Sequence, residues 1–256
     1  MMPTSSHSLA FVTGTSSGIG ESLVRDLLGR GWRVIGVARR DAPIRDPGYT
    51  HLRADIGDLA ALSALLQSEV KPLLADPAVT RVGLVNNAAL VALIGTVLAL
   101  DPLQLPHIYA VNTAAPILLM GWFLRSTRPG VPLRIVNVSS GLAVMPLPGA
   151  VAYGNSKAAL RMAGMVVAAE LDADSGAHRH DASVLSYEPG LVDTPMQTTA
   201  RSTPVETLPV VQLFTDWAAT GALVAPALPA REIADYLCSD DHPRWLEQRY
   251  PAAAPA

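Results

Sequence analysis

Cysteine is nearly absent. A single one, Cys238, stands in a chain of 256 residues; that excludes an intrachain disulfide and suits a reducing, cytoplasmic setting. Its default place is a small buried hydrophobe on a helix. Charge is also scarce, 16% of residues against 50% hydrophobic. So apolar a chain suits a sheet covered by helices on both faces, whose strands read as unbroken apolar runs. Neither sign dominates: the net charge of −3 gives no reason to expect nucleic acid or an anionic membrane as partner. Long apolar runs are missing too. The most apolar segment, "AALVALIGTVLAL" from Ala88 to Leu100, has thirteen residues, fewer than the roughly 18–20 that span a bilayer; it reads as a buried segment or a pocket wall. The opening "MMPTSSHSLA" lacks the charged start and apolar core of a signal peptide. The six histidines form no ligand spacing, and "HRH" (178–180) reads as a solvated loop, so no metal is expected. The tail, 251–256, is expected to fray.

What remains is a rhythm. Short β-branched runs alternate with longer helical patterns: "LAFVTG" from Leu9, then a helix over 19–30; "RVIGVA" (33–38); "HLRAD" (51–55), then a helix over 59–70; "VGLVNNA" (82–88); helices over much of 102–126, with Asp101 as N-cap and Pro102 at the first helical position; "LRIVNVSS" (133–140); a helix from about Tyr153 to Ala173; and "ASVLSYEPG" (182–190). Repeated βαβ units predict an α/β fold with a doubly wound parallel sheet, in one domain spanning 1–256. Right-handed crossovers then place the strand C-termini along one edge, where ligands bind. The stretch from Thr194 to Ala230 is rich in proline, threonine and alanine without clear periodicity, which predicts a helical or loop lid over the substrate.

"TGTSSGIG", Thr13 to Gly20, joins the first strand to the first helix. Glycines there permit a tight turn and a close approach of pyrophosphate to backbone, and the helix N-terminus offers free N–H groups. The glycines fall at 14, 18 and 20. With that spacing the chain resembles the short-chain dehydrogenase/reductase family, whose signature is T-G-x-x-x-G-x-G on a Rossmann-type fold. The resemblance continues through "NNAA" (Asn86 to Ala89), Asn112 in "AVNTAAP", Ser140 thirteen residues before Tyr153, Tyr153 and Lys157 as Y-x-x-x-K, and "PGLVDT" (Pro189 to Thr194). It implies Asn112, Ser140, Tyr153 and Lys157 as catalytic. Tyrosine and lysine four residues apart share a helix face, and an adjacent ammonium is expected to lower the phenol's pKa from about 10 toward working pH. The resemblance further implies that Lys157 binds ribose hydroxyls, that Ser140 holds the substrate oxygen, and that Asn112 holds a water in a proton relay through Lys157. For the cofactor it implies Gly14, Ser16, Ser17, Gly18, Ile19, Gly20, Asp55, Ile56, Asn87, Ala88, Pro189, Gly190, Val192 and Thr194, besides Tyr153 and Lys157.

After the second strand the sequence reads "VARRD". Ala38 occupies the place where an acidic residue would bind a ribose 2′-hydroxyl, and Arg39 follows it, with Arg40 beside. Guanidinium binds phosphate where carboxylate would repel it. NADP(H) is therefore expected over NAD(H).

"SYEPGLVDTPMQ" (Ser186 to Gln197) with "TGALVAPALPAREIADYL" (Thr220 to Leu237) is similar to the sepiapterin reductase and benzil reductase branch. That branch's acidic C-terminal pterin anchor finds no counterpart, and the common V-D-G-G ending is missing, which leaves a seventh strand without a signal. Leu142, Met145 and Leu147 after Ser140, Leu191 and Met196 after the P-G motif, and Trp217 on the lid are expected around the carbonyl. No arginine or lysine falls among them, so the pocket is expected to take a neutral ketone: an aromatic ketone, a 1,2-diketone such as benzil, or a pterin side-chain ketone. The family further implies a homodimer or tetramer through the helix from Tyr153 and the one after Asn112. The alternatives are a non-catalytic nucleotide-sensing protein or a dehydrogenase of other substrate range.

Overall fold

The structure is a computed structural model and describes residues 6–91, 95–173 and 181–251; the "HRH" run and nearly all of the tail lie outside these. Seven strands form one all-parallel sheet: β1 His7–Thr13, β2 Arg33–Ala38, β3 Tyr49–Arg53, β4 Val79–Asn86, β5 Leu133–Val138, β6 Ala182–Glu188 and β7 Trp245–Arg249, in the order β3-β2-β1-β4-β5-β6-β7. The order reverses between β1 and β4. The crevice beyond their C-terminal ends is the switch point where such sheets bind ligands.

The helices are α1 Gly18–Gly29, α2 Leu59–Leu65, α3 Lys71–Leu74, α4 Leu105–Tyr109, α5 Ala115–Ser126, α6 Val151–Ala173, α7 Pro195–Arg201, α8 Val211–Ala219 and α9 Ala227–Cys238. Side chains alternate across the sheet as the period of two requires. On β1, Leu9 and Phe11 join Leu62, Leu119 and Phe123 under one helical layer, while Ala10 and Val12 join Leu23, Leu27, Ile233 and Leu237 under the other. Across β4 and β5 the paired Asn86 and Asn137 are both buried, and Asn86 Nδ2 donates to Asn137 Oδ1 at 2.8 Å. Asp101 caps its helix as expected, accepting from Leu103 N at 3.0 Å. The continuous helical stretch Pro102–Ser126 is long and apolar enough to cross a membrane, yet Val111, Ala115, Leu119, Met120, Trp122 and Phe123 from it sit in the core.

Three expectations are corrected here. A seventh strand does form. Trp245 packs with one core and Leu246 with the other, Gly164 of α6 leaves the notch that Trp245 fills (a Cβ there would lie 2.7 Å from its ring), and Arg161 on α6 donates from Nε and Nη2 to the two carboxylate oxygens of Glu247. Cys238 ends α9 exposed, its Sγ 3.8 Å from Arg30 Nη1. The apolar run from Ala88 divides: its first residues reach the crevice, whereas Val97 and Leu98 are exposed.

Candidate active site

The crevice at the switch point is a cleft of about 1100 Å³, large enough for a dinucleotide with a second small molecule. Its floor is the glycine turn. Gly14 takes φ +75° and Gly18 φ +61°, backbone that favours glycine. Gly20 is needed for space: a Cβ there would stand 2.2 Å from Gly14 O and 2.6 Å from Asn87 Nδ2. Asn87 locks the turn from β4, donating to Thr13 O at 2.8 Å and Gly14 O at 3.2 Å. Thr13 Oγ1 in turn accepts from the N–H groups of Asn87 and Ala88, both at 3.0 Å. Ser17 stands extended at the N-cap of α1, and its side chain makes no cap hydrogen bond. The helix therefore presents unanswered N–H groups, and its positive end, to the cleft.

Beside the turn, Arg39 and Arg40 leave the end of β2 and line the cleft. Arg39 is 59% exposed, with Nη1 4.0 Å from Asp55 Oδ2, and so remains available to an anion. Asp55 Oδ1 accepts from Gly57 N at 2.9 Å, and His107 Nε2 stands 3.8 Å from its other oxygen; no sequence signal drew attention to His107. Ile56 is buried at the cleft wall. These residues fit a dinucleotide: a turn whose glycines leave room for a phosphate against the backbone, a helix end without a side-chain cap, and two guanidinium groups at the cleft edge.

The opposite wall carries the expected chemistry. Ser140 ends the β5 run and caps the turn Gly141–Ala143, its Oγ accepting from Leu142 N at 3.2 Å. Tyr153 and Lys157 project from the first turns of α6, which begins at Val151, two residues earlier than predicted. Lys157 Nζ lies 5.7 Å from the centre of the Tyr153 ring and donates to Val138 O at 2.7 Å. The expectation that lysine lowers the phenol's pKa is not met in this structure. Burial pushes the Tyr153 phenol up to about 12, opposed by a hydrogen bond with Ser140. Burial likewise brings Lys157 down to about 8. Desolvation penalises the charged form of each group.

Asn112 stands apart. It is fully buried within the π-helical turn Ala110–Ala114 and does not line the cleft. Its Oδ1 accepts from Leu90 N at 2.7 Å, and its Nδ2 donates to Leu90 O at 2.9 Å and Ser156 Oγ at 3.0 Å. The side chain braces the loop after β4 against α6 and has little capacity left for a relay water.

The rest of the expected set converges. Gly14, Ser16, Ser17, Gly18, Ile19, Asn87, Ala88, Pro189, Gly190, Val192 and Thr194 line the cofactor end, and Leu142, Met145, Leu147, Leu191, Met196 and Trp217 line the other. Thr194 closes on the glycine turn, where a Cβ on Gly18 would sit 3.1 Å from its methyl group. The lid is helical. Phe214 and Trp217 of α8 both line the cleft, packed edge to face at 5.1 Å. One expectation fails: the substrate end is not free of charge. Glu188, last residue of β6, and Arg249, last residue of β7, both line it. Among the described residues no cluster is placed to hold a metal ion.

A dinucleotide turn, a serine, and a tyrosine–lysine pair on one cleft of a seven-stranded parallel sheet define an oxidoreductase site. The chain belongs to the short chain dehydrogenase family, whose model matches residues 8–205. It is 27% identical to the benzil reductase ((S)-benzoin forming) of Bacillus cereus, covering 91% of this chain and 95% of that protein. With the sepiapterin reductase of Meriones unguiculatus it shares 32% identity over 76% of this chain and 78% of that one. Among solved structures, the crystal structure of the KRED1-Pglu enzyme superimposes with a TM-score of 0.79 at 26% identity, covering 93% of this chain and 99% of that one.

Proposed function

We propose that the protein is an NADPH-dependent carbonyl reductase that reduces an aromatic ketone or 1,2-diketone to the alcohol. The observation that carries this reading is the convergence of Ser140, Tyr153 and Lys157 on one wall of the cleft whose floor is the phosphate turn. When bound, the cofactor supplies hydride. The protein's part is placement and the proton. Ser140 Oγ holds the carbonyl oxygen. Tyr153, kept protonated by its raised pKa, donates its phenolic proton to that oxygen as negative charge develops there. The Lys157 ammonium stabilises the phenolate left behind and hydrogen-bonds the ribose. Arg39, with Arg40, binds the 2′-phosphate and sets the preference for NADPH. Trp217 and Phe214 cover the ring and exclude water. The relatives named benzil reductase and sepiapterin reductase support the substrate class. We further propose a homodimer in the cytoplasm, built on the exposed apolar side chains Ile117 of α5 and Met162 and Val166 of α6.

The deciding experiment is consumption of NADPH over a ketone panel: benzil, a small aliphatic ketone, acetoacetate and a reducing sugar. Benzil is expected to give by far the highest kcat/KM, with one carbonyl reduced. Failure to oxidise NADPH with any ketone would overturn the reading.

A further inference from the structure

The charged pair at the substrate end has no part in the chemistry above. Glu188 and Arg249 are register partners at the C-terminal ends of β6 and β7, and Arg249 Nε lies 3.2 Å from Glu188 Oε1. The backbone fixes this meeting, for Tyr250 N donates to Glu188 O at 2.8 Å. The carboxylate reaches the residue next to Ser140: a Cβ on Gly141 would stand 2.9 Å from Glu188 Oε1. It therefore faces the part of a substrate a few bonds beyond the carbonyl that Ser140 holds.

The two partners are not equal. The Glu188 side chain is 23% exposed and that of Arg249 66% exposed. Solvent screens the guanidinium, whereas the carboxylate lies deeper, against Gly141, with the Met145 methyl group close to the same glycine. Arg249 lines the cleft as well, but at its solvent-screened rim, so it offsets the field of the acid only in part. Burying a carboxylate against an apolar pocket is costly unless its oxygens are hydrogen-bonded. Arg249 Nε meets one oxygen and leaves acceptor capacity toward the cleft, since a carboxylate takes about four hydrogen bonds.

We propose that Glu188, positioned by the β6–β7 backbone and partly offset by Arg249, is a specificity-determining residue that accepts a hydrogen bond from an N–H group, neutral or cationic, on the portion of the ketone beyond the reacting carbonyl, and that keeps anionic groups out. The inference rests on the reductase reading and narrows its substrate class to aromatic ketones carrying nitrogen donors.

The test compares benzil with its ring-substituted aminomethyl and carboxylate analogues, in kcat/KM and, separately, in calorimetric Kd with NADP⁺ present. Wild type is expected to favour the aminomethyl compound over the carboxylate by on the order of tenfold or more, as unit charges several ångströms apart near a protein surface dictate. Glu188→Gln, nearly isosteric, should collapse that ratio, chiefly through KM. Arg249→Gln should widen it, because the acid then acts unopposed. Opposite movements in the two variants cannot arise from a general loss of folding. Equal use of both analogues by wild type would overturn the inference. So would a Glu188→Gln variant that weakens all three compounds alike, since Glu188 would then be only a latch for β7. If no ketone is turned over, the reductase reading fails, while the Kd ranking still decides this one.

Discussion

At the scale of the residue, Tyr153 and Lys157 carry two expectations. Tyr153→Phe removes the hydroxyl proposed as proton donor and leaves the ring. It should cost about 10²–10⁴-fold in kcat while NADPH still binds, as fluorescence titration would show; turnover within a few-fold of wild type would rule out the tyrosine as acid. Lys157 is 1% exposed, and burial brings its ammonium from its ordinary 10.5 down to about 8. The unfolded chain therefore binds more protons between about pH 8 and 10.5. The burial penalty is fully present below pH 8 and is relieved as pH rises through that window. Lys157→Met should then raise Tm by several °C at pH 7, since about 1 kcal/mol moves a domain of this size by roughly 2–4 °C, and the gain should shrink toward pH 10.5. The same variant should lose reduction. In wild type, reduction should decline as pH climbs past 8 and the ammonium is lost. An unchanged Tm in Lys157→Met would mean that the buried charge costs nothing. Arg39 carries a third expectation: Ala38→Asp with Arg39→Leu should reverse a kcat/KM preference for NADPH over NADH, and equal use of both by wild type would show that Arg39 does not read the phosphate.

At the scale of the element, the glycine turn and the lid make separate demands. Gly20 has no room for a methyl group between Gly14 O and Asn87 Nδ2. Gly20→Ala should cost about 1–3 kcal/mol of stability, the usual range for overpacking, and weaken NADPH binding by more than tenfold; wild-type affinity would show that the turn can give way. On the lid, Trp217→Ala should raise KM for an aromatic diketone more than for a small aliphatic ketone. Elements written in local pattern were legible in the sequence: the turn, the strand after it, Ser140, and the tyrosine–lysine step on α6. What the sequence hid depends on partners distant in the chain. β7 lacks a motif and is held by Gly164, Arg161 and β6. Glu188 read as part of a strand, Arg249 fell in no predicted element, and only their register makes them a pair. The directions of the Tyr153 and Lys157 shifts were hidden too, because burial is a property of the folded cleft and not of a four-residue spacing. Asn112 was legible as a position, but not the three hydrogen bonds that occupy its side chain.

At the scale of the whole molecule, one sheet gathers the phosphate turn, Ser140, Tyr153 and Lys157 at its C-terminal edge, and the proposed face for a second copy is the exposed apolar set Ile117, Met162 and Val166 of α5 and α6. Met162→Glu should convert a dimer to a monomer in light scattering; an unchanged mass would move the interface elsewhere. The position of β7 has a consequence for the order in which the molecule is made. β1 to β6 can pair as the ribosome delivers them, so the phosphate turn, Ser140, Tyr153 and Lys157 come together in a nascent chain. Arg249 arrives only with β7, after these groups. Until β7 pairs with β6, Glu188 stands at the cleft without Arg249 beside it, so a chain that has not yet added this strand would carry the acid unopposed.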